Sequence, residues 1–260
     1  MLSAAFLLIQ AATPASAQPL PTLNEIQFTE CLDLARKDAP SAVTDANLWT
    51  QQGGGYLARA CHGFALATDF KFDMAVPVLT EAAQGAQEQG DPRAARFWAQ
   101  AGNAAIAAGQ PQIALDALNK ALAATTLDNN ERADSEIDRA RALVAMNMSA
   151  DAENALTTAR QLSPENGTAW LLSATLARRL NKLSDALTYI QTSAALMPRD
   201  PAVALEAGNI AIAAGDDAAA RKQWEQTIAI APASRQATSA QAQLAALTPT
   251  PAPPAEPQSR

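Results

Sequence analysis

The sequence predicts an all-α fold, an α-solenoid of about five helix–turn–helix repeats with an N-terminal helical extension and a C-terminal capping helix. Three observations predict it. AGNAAIAAG at 101–109 returns as AGNIAIAAG at 207–215, with eight of nine letters kept. Pro164, Pro198 and Pro232 are spaced by 34 residues and again by 34, each after a helical-looking stretch. The composition is 48% hydrophobic but only 5% aromatic, and alanine-rich, which suits closely packed helices better than a sheet sandwich.

A recurrence of 20–50 residues marks a solenoid or an array. With each Pro at position 32 of a 34-residue unit, units begin near 133, 167 and 201, and two more fit upstream near 56 and 95. The nonapeptide then recurs after three periods plus a four-residue insertion around Thr125–Asn130. Position 20 is alanine throughout: Ala75, Ala114, Ala152, Ala186 and Ala220. Position 8 is Gly63, Gly102, Ala140, Ala174 and Gly208, and position 27 is Ala82, Ala121, Ala159, Ser193 and Thr227. Small residues there let two antiparallel helices approach closely. Position 24 is Leu79, Leu118, Leu156, Ile190 and Trp224, expected to fill the space between neighbouring units.

Residues 1–17 read as a signal peptide. Leu2–Ile9 is a short apolar run, and Ala15-Ser16-Ala17 before Gln18 fits the small-residue cleavage rule. The run is too short to anchor the chain across a bilayer, so no stable membrane span is expected. No Lys or Arg precedes it, so either the α-amine supplies the charge or the true start lies upstream. The expected location is therefore periplasmic or secreted, the second reading being a cytosolic protein with an uncleaved N-terminus. Residues 18–55 form the N-terminal extension, with helices at Glu25–Lys37 and Ser41–Gln51 before the Gly53-Gly54-Gly55 break. The repeat array covers 56–232. Gly109, Asn147, Asn181 and Gly215 all occupy position 15, where the first helix of a unit should close in the left-handed conformation. Asp91-Pro92 and Asp200-Pro201 each place a capping carboxylate before a first-turn proline, opening units two and five. Pro77 is expected near the first turn of the second helix of unit one. Residues 233–247 read as an amphipathic cap over the last apolar face, and 248–260 as a disordered Pro-rich tail.

The formal charge is −7, from 19 basic and 26 acidic residues, which argues against binding nucleic acid or an anionic membrane. The two cysteines, Cys31 and Cys61, are compatible with one disulfide in an oxidising compartment, or with two small buried hydrophobes. Chemistry has little to work with. His62 is the single histidine, and Ala58 stands where a C-x-x-C-H haem motif needs its first cysteine. His62 falls at a core position of unit one. No phosphate-binding glycine loop, dinucleotide fingerprint or nucleophile elbow occurs, and the Gly53–Gly55 run has no following Lys-Ser or Lys-Thr. An enzyme is not expected, and no cofactor or metal is called for.

Trp98 and Trp170 at position 4, the small residues at 8, 20 and 27, and the late prolines together resemble the tetratricopeptide repeat family over 56–232. Departures are Ala105, Ala177 and Ala211 at the usually bulky position 11, Ser173 at position 7 of unit four, and a first unit without the aromatic or the proline. The resemblance implies a non-catalytic scaffold that holds a peptide or protein segment in a concave groove. In this family the first helix of each unit lines that groove with positions 2, 5, 9, 12 and 13. Position 9 is Phe64, Asn103, Arg141, Thr175 and Asn209. Position 12 is Ala67, Ile106, Val144, Arg178 and Ile212, and position 13 adds Arg179. The groove residues expected are thus Asn103, Arg141, Thr175, Arg178, Arg179 and Asn209, with the three arginines converging on a carboxylate-bearing segment. Family members that clamp chaperone C-termini use a basic residue at position 5. Here it is Ala60, Ala99, Ile137, Leu171 and Leu205, so that subtype is not expected.

Overall fold

The computed structural model describes residues 22–247. The segment at 1–17, expected to be a signal peptide, and the segment at 248–260, expected to be a disordered tail, lie outside the described residues. What is described is helical, in thirteen elements with no strand among them. An N-terminal pair, α1 (Leu23–Lys37) and α2 (Ala39–Gln51), leads into the hairpin of α3 (Gly55–Thr68) and α4 (Phe72–Glu88). The next hairpins are α5 (Ala94–Ala107) with α6 (Pro111–Ala123), and α7 (Asn129–Ala145) with α8 (Ser149–Leu162). Then come α9 (Gly167–Arg179) with α10 (Leu183–Leu196), and α11 (Pro201–Ala213) with α12 (Asp217–Ile230). The last helix is α13 (Arg235–Leu247), which packs on α12 and α11.

Several helix starts are capped by short polar side chains. Thr22 and Glu25 form a reciprocal capping box on α1, and Asp128 and Glu131 do so on α7. Asn166, Asp200 and Asp216 cap α9, α11 and α12. Helix stops fall where the sequence places them. Gly109, Asn147, Asn181 and Gly215 all have φ between 57° and 82°. The same position in the first hairpin is Phe70, also left-handed at φ 59° and 81% exposed, a bulky residue where the other hairpins use Gly or Asn. Pro77 is the sixth residue of α4, one turn deeper than the sequence reading put it, on the exposed side of the helix.

The hairpins close on a repeated contact. A Cβ on Gly63 would stand 2.6 Å from Leu79 Cγ, one on Gly102 2.6 Å from Leu118 Cγ, and one on Gly208 2.4 Å from Trp224 Nε1. In these three hairpins position 24 therefore seats its side chain over position 8 of its own hairpin, where the two helices cross and leave no room for a Cβ. It also reaches the neighbouring unit, as expected: Ile190 clusters with Val203 and Ile210, and Trp224 with Ala240 of α13. Ser193 and Thr227, polar residues at position 27, are fully buried and donate to Gly167 O and Gln223 O. The buried residues form a succession of clusters, as a quasi-one-dimensional stack should. The first helices of successive hairpins touch, α3 to α5 to α7 to α9 to α11, whereas the second helices lie further apart. The array therefore curves with its first helices on the inside.

The N-terminal pair is fastened in two ways. A disulfide joins Cys31 on α1 to Cys61 on α3, with Cα atoms 6.2 Å apart. Asp91, in the turn before α5, accepts from the Tyr56 hydroxyl at 2.5 Å, from Arg93 Nη2 at 2.6 Å and from the Arg93 backbone at 2.8 Å. Arg93 also reaches Glu25 of α1, at 3.4 Å. Asp91 was expected to cap α5. Its carboxylate does accept the Arg93 backbone N–H while also joining this network, and α5 begins at Ala94, later than the sequence reading put it. Burial pushes the Asp91 carboxyl upward, but the hydrogen bonds from Arg93 and Tyr56 outweigh it and hold its pKa down at about 2. A carboxylate depressed on folding stabilises the protein above its unfolded value, near 3.8, and loses that contribution as pH falls through about 2. The contribution is on the order of 2 kcal/mol. Acid denaturation monitored by circular dichroism should show Asp91→Asn to be less stable than wild type at neutral pH, with the difference shrinking between about pH 4 and 2.

Candidate functional site

The inner face is built from α3, α5, α7, α9 and α11, and two cavities open along it. The first holds about 440 Å³ between α3, α5 and α7. Phe64, Ala67, Leu79 and Leu127 give it apolar surface, and Arg96, Asn103, Glu131, Asp134 and Asp138 stand around it. The second holds about 210 Å³ between α7, α8 and α9. Val144, Leu156, Leu172 and Leu176 line it, with Arg141, Thr175 and Arg179 at its edge.

The six expected groove residues separate into three groups. Arg141, Thr175 and Arg179 share the second cavity. Arg141 donates to Asp138 at 2.5 Å, one turn back on its own helix, while Thr175 donates to Leu171 O at 3.1 Å. Arg179 is exposed, and no carboxylate among the described residues pairs with it. Asn103 belongs to the first cavity, where its amide donates to Asp138 at 2.9 Å. Arg178 and Asn209 belong to neither.

Arg178 was expected to converge with Arg141 and Arg179. Instead its guanidinium grips Glu206 of α11 in a two-pronged pair, Nε to Oε1 at 2.6 Å and Nη2 to Oε2 at 3.2 Å. Asn209 donates to the same carboxylate at 3.4 Å and accepts from Trp224 Nε1 at 3.2 Å. Glu206 is buried, and a buried carboxylate needs a cation and filled lone pairs. Arg178, Glu206, Asn209 and Trp224 thus bind α9, α11 and α12 together. Sequence reading also passed over Asp134 and Asp138. Asp134 sits at position 2, a groove position by the family pattern, and that was the available signal.

Among the described residues, no group of three or more His, Cys, Asp or Glu could hold a metal ion. His62 is only half-buried rather than a core residue, and burial lowers its imidazole pKa. None of these helices is long and apolar enough to cross a membrane.

The tetratricopeptide repeat family model matches residues 137–201 and again 172–237. The crystal structure of PilW, a widely conserved type IV pilus biogenesis factor, aligns with a TM-score of 0.71 at 17% identity, over 85% of this chain and 99% of PilW. PilF of Pseudomonas aeruginosa aligns at 0.65 and 17% identity, over 85% of this chain and 99% of its own. YrrB, a TPR protein with an unusual peptide-binding site, aligns at 0.50 and 19% identity, over 83% of this chain and 97% of its own. At these identities the likeness is one of fold. No curated protein sequence matches the chain significantly.

Proposed function

We propose that this chain, which belongs to the tetratricopeptide repeat family, is a non-catalytic scaffold that holds a segment of a protein partner in its concave groove, outside the cytoplasm. The observation that carries the reading is the second cavity. It offers room for an apolar side chain, while no carboxylate among the described residues pairs with the Arg179 guanidinium beside it. Bidentate capture of a carboxylate is what arginine does better than lysine. The segment recognised therefore presents a carboxylate next to an apolar side chain. The setting outside the cytoplasm rests on the Ala15-Ser16-Ala17 cleavage pattern and on the pair Cys31 and Cys61. A cytosolic adaptor of the same fold, with no disulfide and an uncleaved N-terminus, is the second reading. N-terminal sequencing of protein from its native host separates the two, with Gln18 first on the export reading and Met1 on the other.

The groove is tested by fluorescence anisotropy with short synthetic peptides carrying Leu-Glu. Arg179→Ala should weaken their binding about tenfold, about 1.4 kcal/mol, with little change in melting temperature. Arg178→Ala should do the reverse, keeping peptide affinity but losing about 1–3 kcal/mol of stability by stranding Glu206. Unchanged binding by Arg179→Ala would remove Arg179 from the site.

A further inference from the structure

The two cavities along the inner face carry opposite charge. In the first, the carboxylates of Glu131, Asp134 and Asp138 on α7 face a single guanidinium, Arg96. Glu131 is taken up by Arg96 and by the start of its own helix. Asp138 shares its charge with Arg141. Asp134 is exposed and, among the described residues, is met by the neutral amide of Asn166, at 2.9 Å. The cavity between these groups has apolar surface from Phe64, Ala67 and Leu127. An acidic rim over an apolar floor complements a lysine or arginine side chain, whose stem packs on apolar surface while its head meets carboxylate.

We propose that the groove takes a segment of mixed charge, with a Lys or Arg side chain in the first cavity at Asp134 and Asp138 and a carboxylate at Arg179 beside the second. This deepens the reading given under Proposed function and rests on it. Geometry sets the spacing. Neighbouring inner helices such as α7 and α9 lie roughly 8–10 Å apart, and an extended chain advances about 3.3 Å per residue. Asp134 and Asp138 stand at positions 2 and 6 of their repeat and Arg179 at position 13 of the next, which adds an offset of about 10–16 Å along the helix axes. The cation and the carboxylate of the bound segment are therefore about four to six residues apart. The two sites also fix the direction of the segment, because reversing it sets like charge against like.

The test uses synthetic peptides that carry one Lys and one Glu at graded separations, each beside a Leu, with Lys→Gln and Glu→Gln versions of each. Affinities are read by fluorescence anisotropy on the full chain. Wild type should prefer a separation of about four to six residues, and Lys→Gln in the peptide should cost about tenfold. Asp134→Asn should weaken the Lys peptide and leave its Lys→Gln version unaffected, with an unchanged melting temperature. Asp138→Asn should act in the same direction, though it also releases Arg141. If Asp134→Asn and Asp138→Asn bind the Lys peptide as wild type does, while Glu→Gln in the peptide still costs affinity, the acidic cavity is no part of the site and only the carboxylate reading survives. If no peptide of the set binds wild type, both fail.

Discussion

Trp224→Ala is expected to cost about 3–5 kcal/mol, the range for emptying the site of a large buried aromatic. Trp224 is 1% exposed and is the largest fully buried side chain. Its indole lies against Gly208, on the facing helix of its own hairpin, and a cavity left between α11 and α12 has little to collapse into it. The indole N–H also holds Asn209, which supports Glu206 in the pair with Arg178. The capping helix is affected too, because Ala240 of α13 belongs to the same buried cluster as Trp224. Hairpins in a solenoid contact chiefly their neighbours, so the loss should appear as early melting of the C-terminal end. Thermal denaturation by circular dichroism, with hydrogen exchange to locate the event, checks this. A variant that melts as one unit at the wild-type temperature would mean that Trp224 does not hold the last hairpin to its cap.

Removing the disulfide is the second large effect. Cys31 and Cys61 are 30 residues apart in sequence, and a closed loop of that size is worth about 3–4 kcal/mol in the chain-entropy model. Reductant, or the paired Cys31→Ala and Cys61→Ala variant, should lower the melting temperature and loosen α1 and α2 first. The Glu25, Arg93 and Asp91 network then still ties α1 to the body of the array, beside the Arg36 guanidinium over the Phe64 ring. Two measurements check it: melting with and without reductant, and thiol titration of the denatured, unreduced protein. Two freely titrating thiols in protein from an oxidising compartment would refute the bond.

Backbone demands were the legible part of this molecule. A left-handed helix stop admits few residue types, so Gly109, Asn147, Asn181 and Gly215 announce themselves one residue at a time. Close helix crossings do the same at Gly63, Gly102 and Gly208. With the prolines they set the period, and the period sets the face. Phe70 was missed because its type argues against the conformation that the fold imposes on it. The side-chain partnerships were not legible. Arg178 and Arg179 are adjacent in sequence on the same inner helix. One turns to a carboxylate 28 positions on in the next repeat, while the other stays at the cavity's edge. Which does which depends on rotation about the helix axis and on Glu206 being buried, and neither is written in a repeat pattern. The further partners of Asp91 were hidden for a similar reason: Tyr56, 35 residues earlier, donates to the carboxylate oxygen opposite the one that takes the Arg93 backbone N–H.

The central claim is that the inner face of the array holds the partner segment. Photo-crosslinking measures this most directly, using a benzophenone-bearing peptide with Lys and Glu about four to six residues apart and mass spectrometry to locate the adducts. The account predicts adducts on α5, α7 and α9 near Asn103, Asp138, Thr175 and Arg179, lost when unlabelled peptide competes. Competed adducts confined to α4, α6, α8 or α10 would contradict it.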